Sequence, residues 1–410
     1  MRVAVVGASG LVGNAVVEYL AERNVDFRPL VGSTGNSWRL MSQGYEPSVA
    51  NVLDRGQVRR GLAGCTHVVN CLRSSDRVMF DGLANLLAVA REQCVERFVH
   101  LSSVAVYGDP PPPEAVDESA PTRPARGSYG AIKLKQDHMV QAAARRGLSA
   151  IVLCPPNITG PGSYFLLQVL GALLRRHLPL VDDGNRFCSV VDARNFAHAC
   201  HCALTAGAGK GERLFVTDAE PITWRDIVNA VGKAGRLSCA PPAISEDSLR
   251  RLTASATAGQ RLSIVRAIKH LVSSDVRQAL RGDPLLARID MAIRASVAAL
   301  GSRTEETLRL SIEGPLRVQP ARSVGGELDV RLASQQLRNV RHSSRQAAQA
   351  IGYAPIVTFE RSMQAFATWL RTVRGMDRSD WDLRRELFGY EAGSPDPTSI
   401  GVGNGPTNLE

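Results

Sequence analysis

The stretch that most constrains the fold lies near the N-terminus, where residues 3–20 have the sequence VAVVGASGLVGNAVVEYL. Val3–Val6 is a β-branched run typical of a buried parallel strand, and apolar residues return at helical spacing after Asn14. Between these segments stand three glycines in a G-x-x-G-x-x-G spacing: Gly7, Gly10 and Gly13. Such glycines allow a tight turn, close approach of backbone to a pyrophosphate, and close packing of helix on sheet. The stretch therefore predicts a dinucleotide-binding strand, turn and helix.

Strand and helix signals alternate along the chain that follows. Strands are predicted at 27–32, 66–72, 97–103 and 149–156. Helices are predicted at about 81–93 and about 128–146. The proline-rich segment 108–127 is predicted to be a loop. Alternation of this kind predicts an α/β fold, a doubly wound parallel sheet of the Rossmann type, followed by a smaller, mainly helical C-terminal substrate domain.

This pattern also predicts the domain organisation. Residues 1–160 form the dinucleotide-binding domain, to which a return segment at about 188–217 is expected to belong. Residues 161–390 form the substrate-binding domain, with a helical insert at about 240–335. The last residues, 391–410, are rich in Gly, Pro, Ser and Asn and predict a disordered tail.

Composition indicates an ordinary globular protein, with 410 residues of which 44% are hydrophobic and 21% charged. No signal peptide fits the N-terminus, and the apolar runs are shorter than the roughly 20 residues of a membrane span. We therefore expect a cytoplasmic protein. The eight cysteines form no C-x-x-C pair and no zinc-like spacing, which predicts free thiols and no metal site.

The net charge of +10 is unevenly distributed, because residues 240–350 hold 17 Lys plus Arg against 10 Asp plus Glu. No aromatic residues are interleaved with these charges as nucleic-acid binding would require, so no nucleic acid is expected. Three roles remain open for the basic helical insert: a lid, an oligomer contact, and an amphipathic face on a membrane, of which the membrane is not favoured. A homodimer is expected.

A second motif, SYGAIK, carries the chemistry. Tyr129 and Lys133 stand four residues apart at the start of a predicted helix, so both side chains share one face. A nearby ammonium lowers the pKa of a phenol, which makes it an acid–base catalyst near neutral pH. Ser103 ends a predicted parallel strand, at the carboxyl edge where such sheets bind ligands. Its hydroxyl is suited to orient a substrate oxygen beside Tyr129.

The chain resembles the extended short-chain dehydrogenase/reductase family, the NAD(P)-dependent epimerases and dehydratases. The matching stretches are GASGLVG, NLLAVA, RFVHLSSVAVYG, SYGAIK, CPPNITGPG and SSRQAAQAIGYAPIVTFERSMQAFATWLR. The resemblance covers most of residues 1–236 and 340–371. It implies that Tyr129 is the catalytic acid/base, that Lys133 binds the nicotinamide ribose and tunes Tyr129, and that Ser103 holds the reacting oxygen.

The resemblance also implies where the ligands bind. The expected cofactor contacts lie in the glycine turn, at the end of the second strand and at the catalytic lysine: Gly7, Ser9, Gly10, Leu11, Val12, Gly13, Ser33, Arg39 and Lys133. Members that prefer NAD end the second strand with an acid, whereas this one ends without an acid and is followed by Arg39. NADP is therefore favoured over NAD. Asn157 and Arg186 are the expected substrate contacts.

The predicted function is hydride transfer between a nicotinamide and a secondary alcohol or ketone, as an oxidoreductase or epimerase acting on a nucleotide sugar. Val104 and Ala105 stand where dehydratases of the family have acidic residues, so 4,6-dehydration is disfavoured. Two alternatives stay open: an NADPH-dependent reductase of carbonyl or steroid-like ketones, and a non-catalytic NADP(H)-binding sensor or assembly factor. The intact Tyr129, Lys133 and Ser103 argue against the second alternative.

Overall fold

The computed structural model describes residues 1–175, 177–207, 209–237, 241–260 and 329–374. The strands in these residues are β1 Arg2–Val6, β2 Asp26–Val31, β3 Ser48–Val49, β4 His67–Asn70, β5 Arg97–Leu101, β6 Ala150–Cys154, β7 Asn157–Thr159, β8 Leu180–Val181, β9 Val190–Asp192, β10 Lys210–Phe215 and β11 Ala243–Ile244. The α-helices are α1 Leu11–Glu22, α2 Trp38–Ser42, α3 Arg55–Leu62, α4 Leu83–Glu92, α5 Tyr129–Arg145, α6 Tyr164–Leu174, α7 Ala193–Thr205, α8 Trp224–Gly235, α9 Glu246–Gln260, α10 Val330–Ser334, α11 Arg345–Ile351 and α12 Phe359–Arg374.

A seven-stranded sheet forms the centre of the fold. Its strand order is β3-β2-β1-β4-β5-β6-β10, and every pair in it is parallel. The order in which the chain adds strands reverses beside β1: β2 and β3 follow on one side, and β4, β5 and β6 on the other. Val3 of β1 pairs with Phe27 of β2 and with His67 of β4. Ligands of open parallel sheets bind outside the carboxyl ends of the strands at such a reversal. The predicted doubly wound sheet is confirmed.

Apolar side chains cover both faces of the sheet, as near-continuous apolar strands require. Val3 and Val5 of β1 belong to one apolar layer, and Ala4 and Val6 belong to the other. The first layer includes residues of α1 and α7, among them Val16, Leu20, Phe196 and Ala203. The second layer includes residues of α4 and α5, among them Leu83, Leu86, Val140 and Ala143. Helix α5 is therefore held against the sheet by its own apolar face.

The last strand of the sheet comes from much later in the chain. β10 pairs with β6 from Lys210↔Ala150 to Phe215↔Cys154, with one irregularity near its start. Asn195 of α7 then ties the C-terminal segment to this part of the fold. Its Oδ1 accepts from the backbone N–H groups of Ile356 and Val357 at 2.8 Å, and its Nδ2 donates to the Val357 carbonyl oxygen at 2.8 Å. Beyond the sheet, the described residues after 160 are mainly helical.

The chain divides into one compact unit of 1–256 with 324–370 and a second of 257–323 with 371–410. The second unit lies almost wholly outside the described residues, as do most of the predicted insert and the predicted tail. The domain boundaries and the homodimer stay predictions. Among the helices that the structure describes, none is both long enough and apolar enough to cross a membrane.

The described cysteines are all free thiols, and Cys239 lies outside the described residues. Within the described ranges, no group of three His, Cys, Asp or Glu side chains is placed to hold a metal ion.

Candidate active site

The glycine turn after β1 has the geometry expected of a phosphate-binding turn. Gly7 has φ +78°, and a Cβ there would lie 3.1 Å from the Cys71 carbonyl group. A Cβ on Gly13 would lie 2.2 Å from the Gly7 carbonyl oxygen, so glycine is required for α1 to pack on the turn. The first turn of α1 has no side-chain cap and no acidic residue. The positive end of this helix is thus available to an anionic group such as a diphosphate.

The other predicted residues of the turn line its rim. Ser9 and Leu11 are half-buried, Gly10 is exposed, and Val12 is buried in the apolar layer of α1. The Val12 side chain therefore has a packing role, so only its backbone and the neighbouring residues are placed to contact a cofactor.

At the end of β2, the predicted cofactor residues have different surroundings. Ser33 is exposed at the start of a short turn. Arg39, in α2, lies 3.5 Å from the Glu18 carboxylate and donates to the Pro161 carbonyl oxygen at 3.5 Å. A 2′-phosphate would have to compete with Glu18 for this guanidinium, which the sequence alone did not indicate.

Tyr129 opens α5, and the cap of this helix is Ser128, whose Oγ accepts from the Ala131 N–H at 3.2 Å. A Cβ on the next residue, Gly130, would lie 2.1 Å from the Ala105 carbonyl oxygen. Glycine at this position therefore lets the start of α5 pack directly on the short helix that follows Ser103. The tertiary fold thus brings the Tyr129 and Ser103 segments together. The Ser103 Oγ accepts from the Ala105 N–H at 3.2 Å and is half-buried.

Lys133 is 1% exposed, one turn further along α5. Its Nζ donates to the Leu101 carbonyl oxygen at 2.7 Å, at the carboxyl end of β5. Burial lowers the pKa of Lys133 to about 8. The ammonium is therefore held at the edge of the sheet beside the glycine turn, close to Cys71.

Beneath Lys133 lies Asp137, a fully buried carboxyl group. Burial raises the pKa of Asp137 to about 6, and hydrogen bonding from Ser102 and the charge of Arg213 oppose that rise. The Arg213 Nε lies 2.9 Å from Asp137 Oδ2. Lys133 therefore belongs to a buried charged cluster rather than standing alone. Sequence reasoning missed Asp137, although its spacing of four from Lys133 places both on one face of the helix.

The electrostatics of Tyr129 differ from the expectation. The residue is 40% exposed, yet desolvation of its hydroxyl raises the pKa of Tyr129 above its ordinary value. The positive charge that opposes this rise is Arg73, whose guanidinium carbon lies 5.3 Å from the centre of the tyrosine ring. The Lys133 ammonium donates to the Leu101 carbonyl oxygen, and its effect on the pKa of Tyr129 stays a prediction. Arg73 lies in a loop, where no sequence periodicity indicates direction.

The predicted substrate residues are both engaged with other protein groups. Asn157, in β7, is half-buried, and its Nδ2 donates to Cys188 Sγ at 3.7 Å. Arg186 lies 2.7 Å from Asp182 and is also paired with Glu246. With two carboxylates on it, Arg186 would have to exchange partners to bind a substrate. Its predicted role is therefore less direct than that of Asn157.

Comparison with known proteins identifies relationships of both sequence and fold. The model of the NAD dependent epimerase/dehydratase family matches residues 3–216. A ketoreductase of Stigmatella aurantiaca, named for 4-hydroxy-2-methyl-3-oxo-4-farnesyl-3,4-dihydroquinoline-1-oxide, is 30% identical over 56% of this chain and 71% of its own length. A 2-alkyl-3-oxoalkanoate reductase of Stenotrophomonas maltophilia is 26% identical over 56% of this chain and 74% of its own length.

Among solved structures, the UDP-glucose 4-epimerase of Thermus thermophilus in complex with NAD is similar to this chain. The identity is 25% and the TM-score 0.50, over 60% of this chain and 86% of the epimerase.

Proposed function

The chain belongs to the NAD-dependent epimerase/dehydratase family, within the extended short-chain dehydrogenases/reductases, and from this premise we propose that it is a nicotinamide-dependent ketone reductase. The observation that carries the proposal is the meeting of three features at one edge of the sheet: the glycine turn, buried Lys133, and Tyr129 packed against the Ser103 segment. The two relatives described above are both named as reductases of oxo compounds, which supports reduction.

The residues present fit a dinucleotide cofactor. The uncapped start of α1 and the turn from Gly7 to Gly13 would hold its diphosphate, and Lys133 would hold the nicotinamide ribose. When bound in reduced form, the nicotinamide supplies the hydride that the carbonyl carbon takes up. We propose NADP over NAD, because β2 ends without an acid and Ser33 is exposed beside it.

Tyr129 would supply the proton. A tyrosine with a raised pKa is protonated at neutral pH, which is the state that a general acid needs for ketone reduction. Its hydroxyl donates the proton to the carbonyl oxygen, while Ser103 donates a hydrogen bond to the same oxygen. The ketone thus gains one hydride at carbon and one proton at oxygen, and the product is a secondary alcohol.

Epimerisation of a nucleotide sugar is the second candidate, and the likeness to a UDP-glucose 4-epimerase favours it. An epimerase returns the hydride to its substrate and keeps its cofactor, whereas a reductase exchanges cofactor in each turnover. Dehydration is not proposed, because Val104 and Ala105 lie in the short helix after Ser103 and neither is able to move a proton.

The test uses the full chain, purified and measured for bound nicotinamide by fluorescence and by release on denaturation. Oxidation of NADPH and of NADH is then followed with a panel of ketones, and UDP-glucose is tested for epimerisation. Tyr129→Phe is expected to abolish ketone reduction with cofactor affinity within a few-fold of the parent. Tyr164→Phe is the matched control, since Tyr164 also opens a helix after a capping serine and is 46% exposed.

If the purified protein retains its cofactor and epimerises UDP-glucose, the proposed function changes from ketone reductase to epimerase. Equal activity of Tyr129→Phe and Tyr164→Phe on every ketone would remove Tyr129 from the reaction. Cofactor binding without turnover of any ketone or sugar nucleotide would favour the non-catalytic alternative.

A further inference from the structure

Arg73 lies beside Tyr129, and no role has been assigned to it above. It follows β4 in the loop that leads to the π-helical turn Val78–Gly82, and its side chain is exposed. Its guanidinium lies over the ring of Tyr129, with 5.3 Å between guanidinium carbon and ring centre. A guanidinium in this position lies next to Tyr129, the proposed proton donor.

The backbone that carries Arg73 is firmly anchored. The Cys71 N–H donates to the Val6 carbonyl oxygen at 2.9 Å, and the Leu72 N–H donates to Asn70 Oδ1 at 3.2 Å. Asn70 is itself buried and hydrogen-bonded to the His100 ring at 3.1 Å. The residue just before Arg73 is thus held against both the glycine turn and the sheet. The backbone that leads into Arg73 is therefore held in place, and the Arg73 guanidinium extends from it to Tyr129.

The charge of Arg73 is uncompensated in the part of the chain that the structure describes. Several arginines elsewhere in the described residues do have a carboxylate partner: Arg39 has Glu18, Arg77 has Asp81, Arg186 has Asp182 and Glu246, and Arg213 has Asp137. Arg73 has no ion pair with any described residue and makes its recorded contact with the face of Tyr129. Lys133 adds a second positive charge close enough for the two to repel.

We propose that Arg73 binds a carboxylate of the substrate, and that the substrate is a ketone with this carboxylate a few bonds from the reacting carbonyl, as in 3-oxo acids. The planar fork of a guanidinium matches a carboxylate with two parallel hydrogen bonds. Arg73 lies over the ring of the proposed proton donor. A substrate carboxylate bound to Arg73 would therefore lie near the reacting carbonyl rather than at a remote end of the substrate. This inference rests on the proposed reductase function and adds the substrate class to it.

The arrangement also serves the chemical step. Negative charge develops on the carbonyl oxygen as the hydride arrives, and a substrate carboxylate nearby would repel that charge. Paired with Arg73, the carboxylate is neutralised and no longer opposes the developing oxyanion. Reduction of the acid and of its neutral ester therefore differ in how much they need Arg73.

The experiment compares 3-oxohexanoate with methyl 3-oxohexanoate, which have the same ketone. The full chain and the variants Arg73→Gln, Arg73→Lys and Arg77→Gln are assayed with the preferred nicotinamide at pH 7. We expect Arg73→Gln to lower kcat/KM for the acid about 10- to 100-fold, mainly through KM, and to change it less than about threefold for the ester. Arg73→Lys should recover part of the loss. Arg77→Gln, an exposed arginine of the same segment, should match the parent on both compounds.

Equal losses on acid and ester in Arg73→Gln, with an unchanged melting temperature, would overturn the anchoring role. Reduction of dihydroxyacetone phosphate but not of the acid, with the same dependence on Arg73, would replace the carboxylate by a phosphate and overturn the assigned class. Reduction of other ketones, dependent on Tyr129, but of neither hexanoate compound would overturn the inference and leave the reductase standing. Failure to reduce any ketone would instead count against the proposed function itself.

Discussion

The buried ammonium of Lys133 should make the free energy of unfolding depend on pH, and the variant Lys133→Met tests the direction of that dependence. The group is 1% exposed, and burial lowers its pKa from 10.5 to about 8. Between those two values the unfolded chain binds the proton that the folded chain has lost. The free energy of unfolding must therefore rise with pH across this window. Lys133→Met has no proton to release and should lack the rise.

The size of the effect follows from the two pKa values. Each pH unit between them corresponds to about 1.4 kcal/mol, so the full window from 10.5 to about 8 amounts to about 3 kcal/mol. The free energy of unfolding of the parent minus that of Lys133→Met should therefore increase by about 3 kcal/mol from about pH 7 to about pH 10.5. Taking the difference removes the titrations that both proteins share, such as those of tyrosines and cysteines.

The assay is urea unfolding followed by far-UV circular dichroism, without added nicotinamide, at steps across this pH range. Lys135→Met is the control, because Lys135 is exposed on the same helix with its ammonium over the Phe80 ring. This control should follow the parent at every pH. Parallel curves for the parent and Lys133→Met would refute the reasoning. A difference that shrinks as pH rises would mean that attraction to Asp137 outweighs burial.

Three further predictions concern packing, the C-terminal connection and the cofactor. Gly13→Ala should cost about 1 to 3 kcal/mol and weaken nicotinamide binding, because its Cβ would overlap the Gly7 carbonyl oxygen. Thermal unfolding and fluorescence titration measure this against Gly35→Ala, whose Cβ meets nothing within 4 Å, and equal behaviour of the two would contradict it. Asn195→Ala should destabilise the protein by about 3 kcal/mol, since it leaves the backbone at 356–357 without partners, and urea unfolding checks the value. Arg39→Leu should weaken NADPH about tenfold and NADH little, and an equal loss of both affinities would remove Arg39 from recognition of the 2′-phosphate.

Several features of the site were predictable because they depend on local sequence. A β-branched run, a glycine spacing and a helical period determine the β1–turn–α1 unit, and the structure requires glycine at Gly7 and Gly13 for the expected reasons. The spacing of Tyr129 and Lys133 places them on one helical face wherever that helix packs. The boundaries of α5 were also predictable to within one residue, since Ser128 caps its start.

The partners of these residues depended on contacts between distant segments. Arg73 reaches Tyr129 across 56 positions of sequence, Lys133 donates to the Leu101 carbonyl oxygen, and Arg186 is paired with Glu246. Periodicity reports which face of a helix or strand is apolar, but it carries no information on where a loop directs a charge. The sequence by itself thus determined the sheet, the glycine turn and the shared helical face of Tyr129 and Lys133. The tertiary structure decided which charges surround Tyr129, because burial and ion pairing arise only when remote segments pack together.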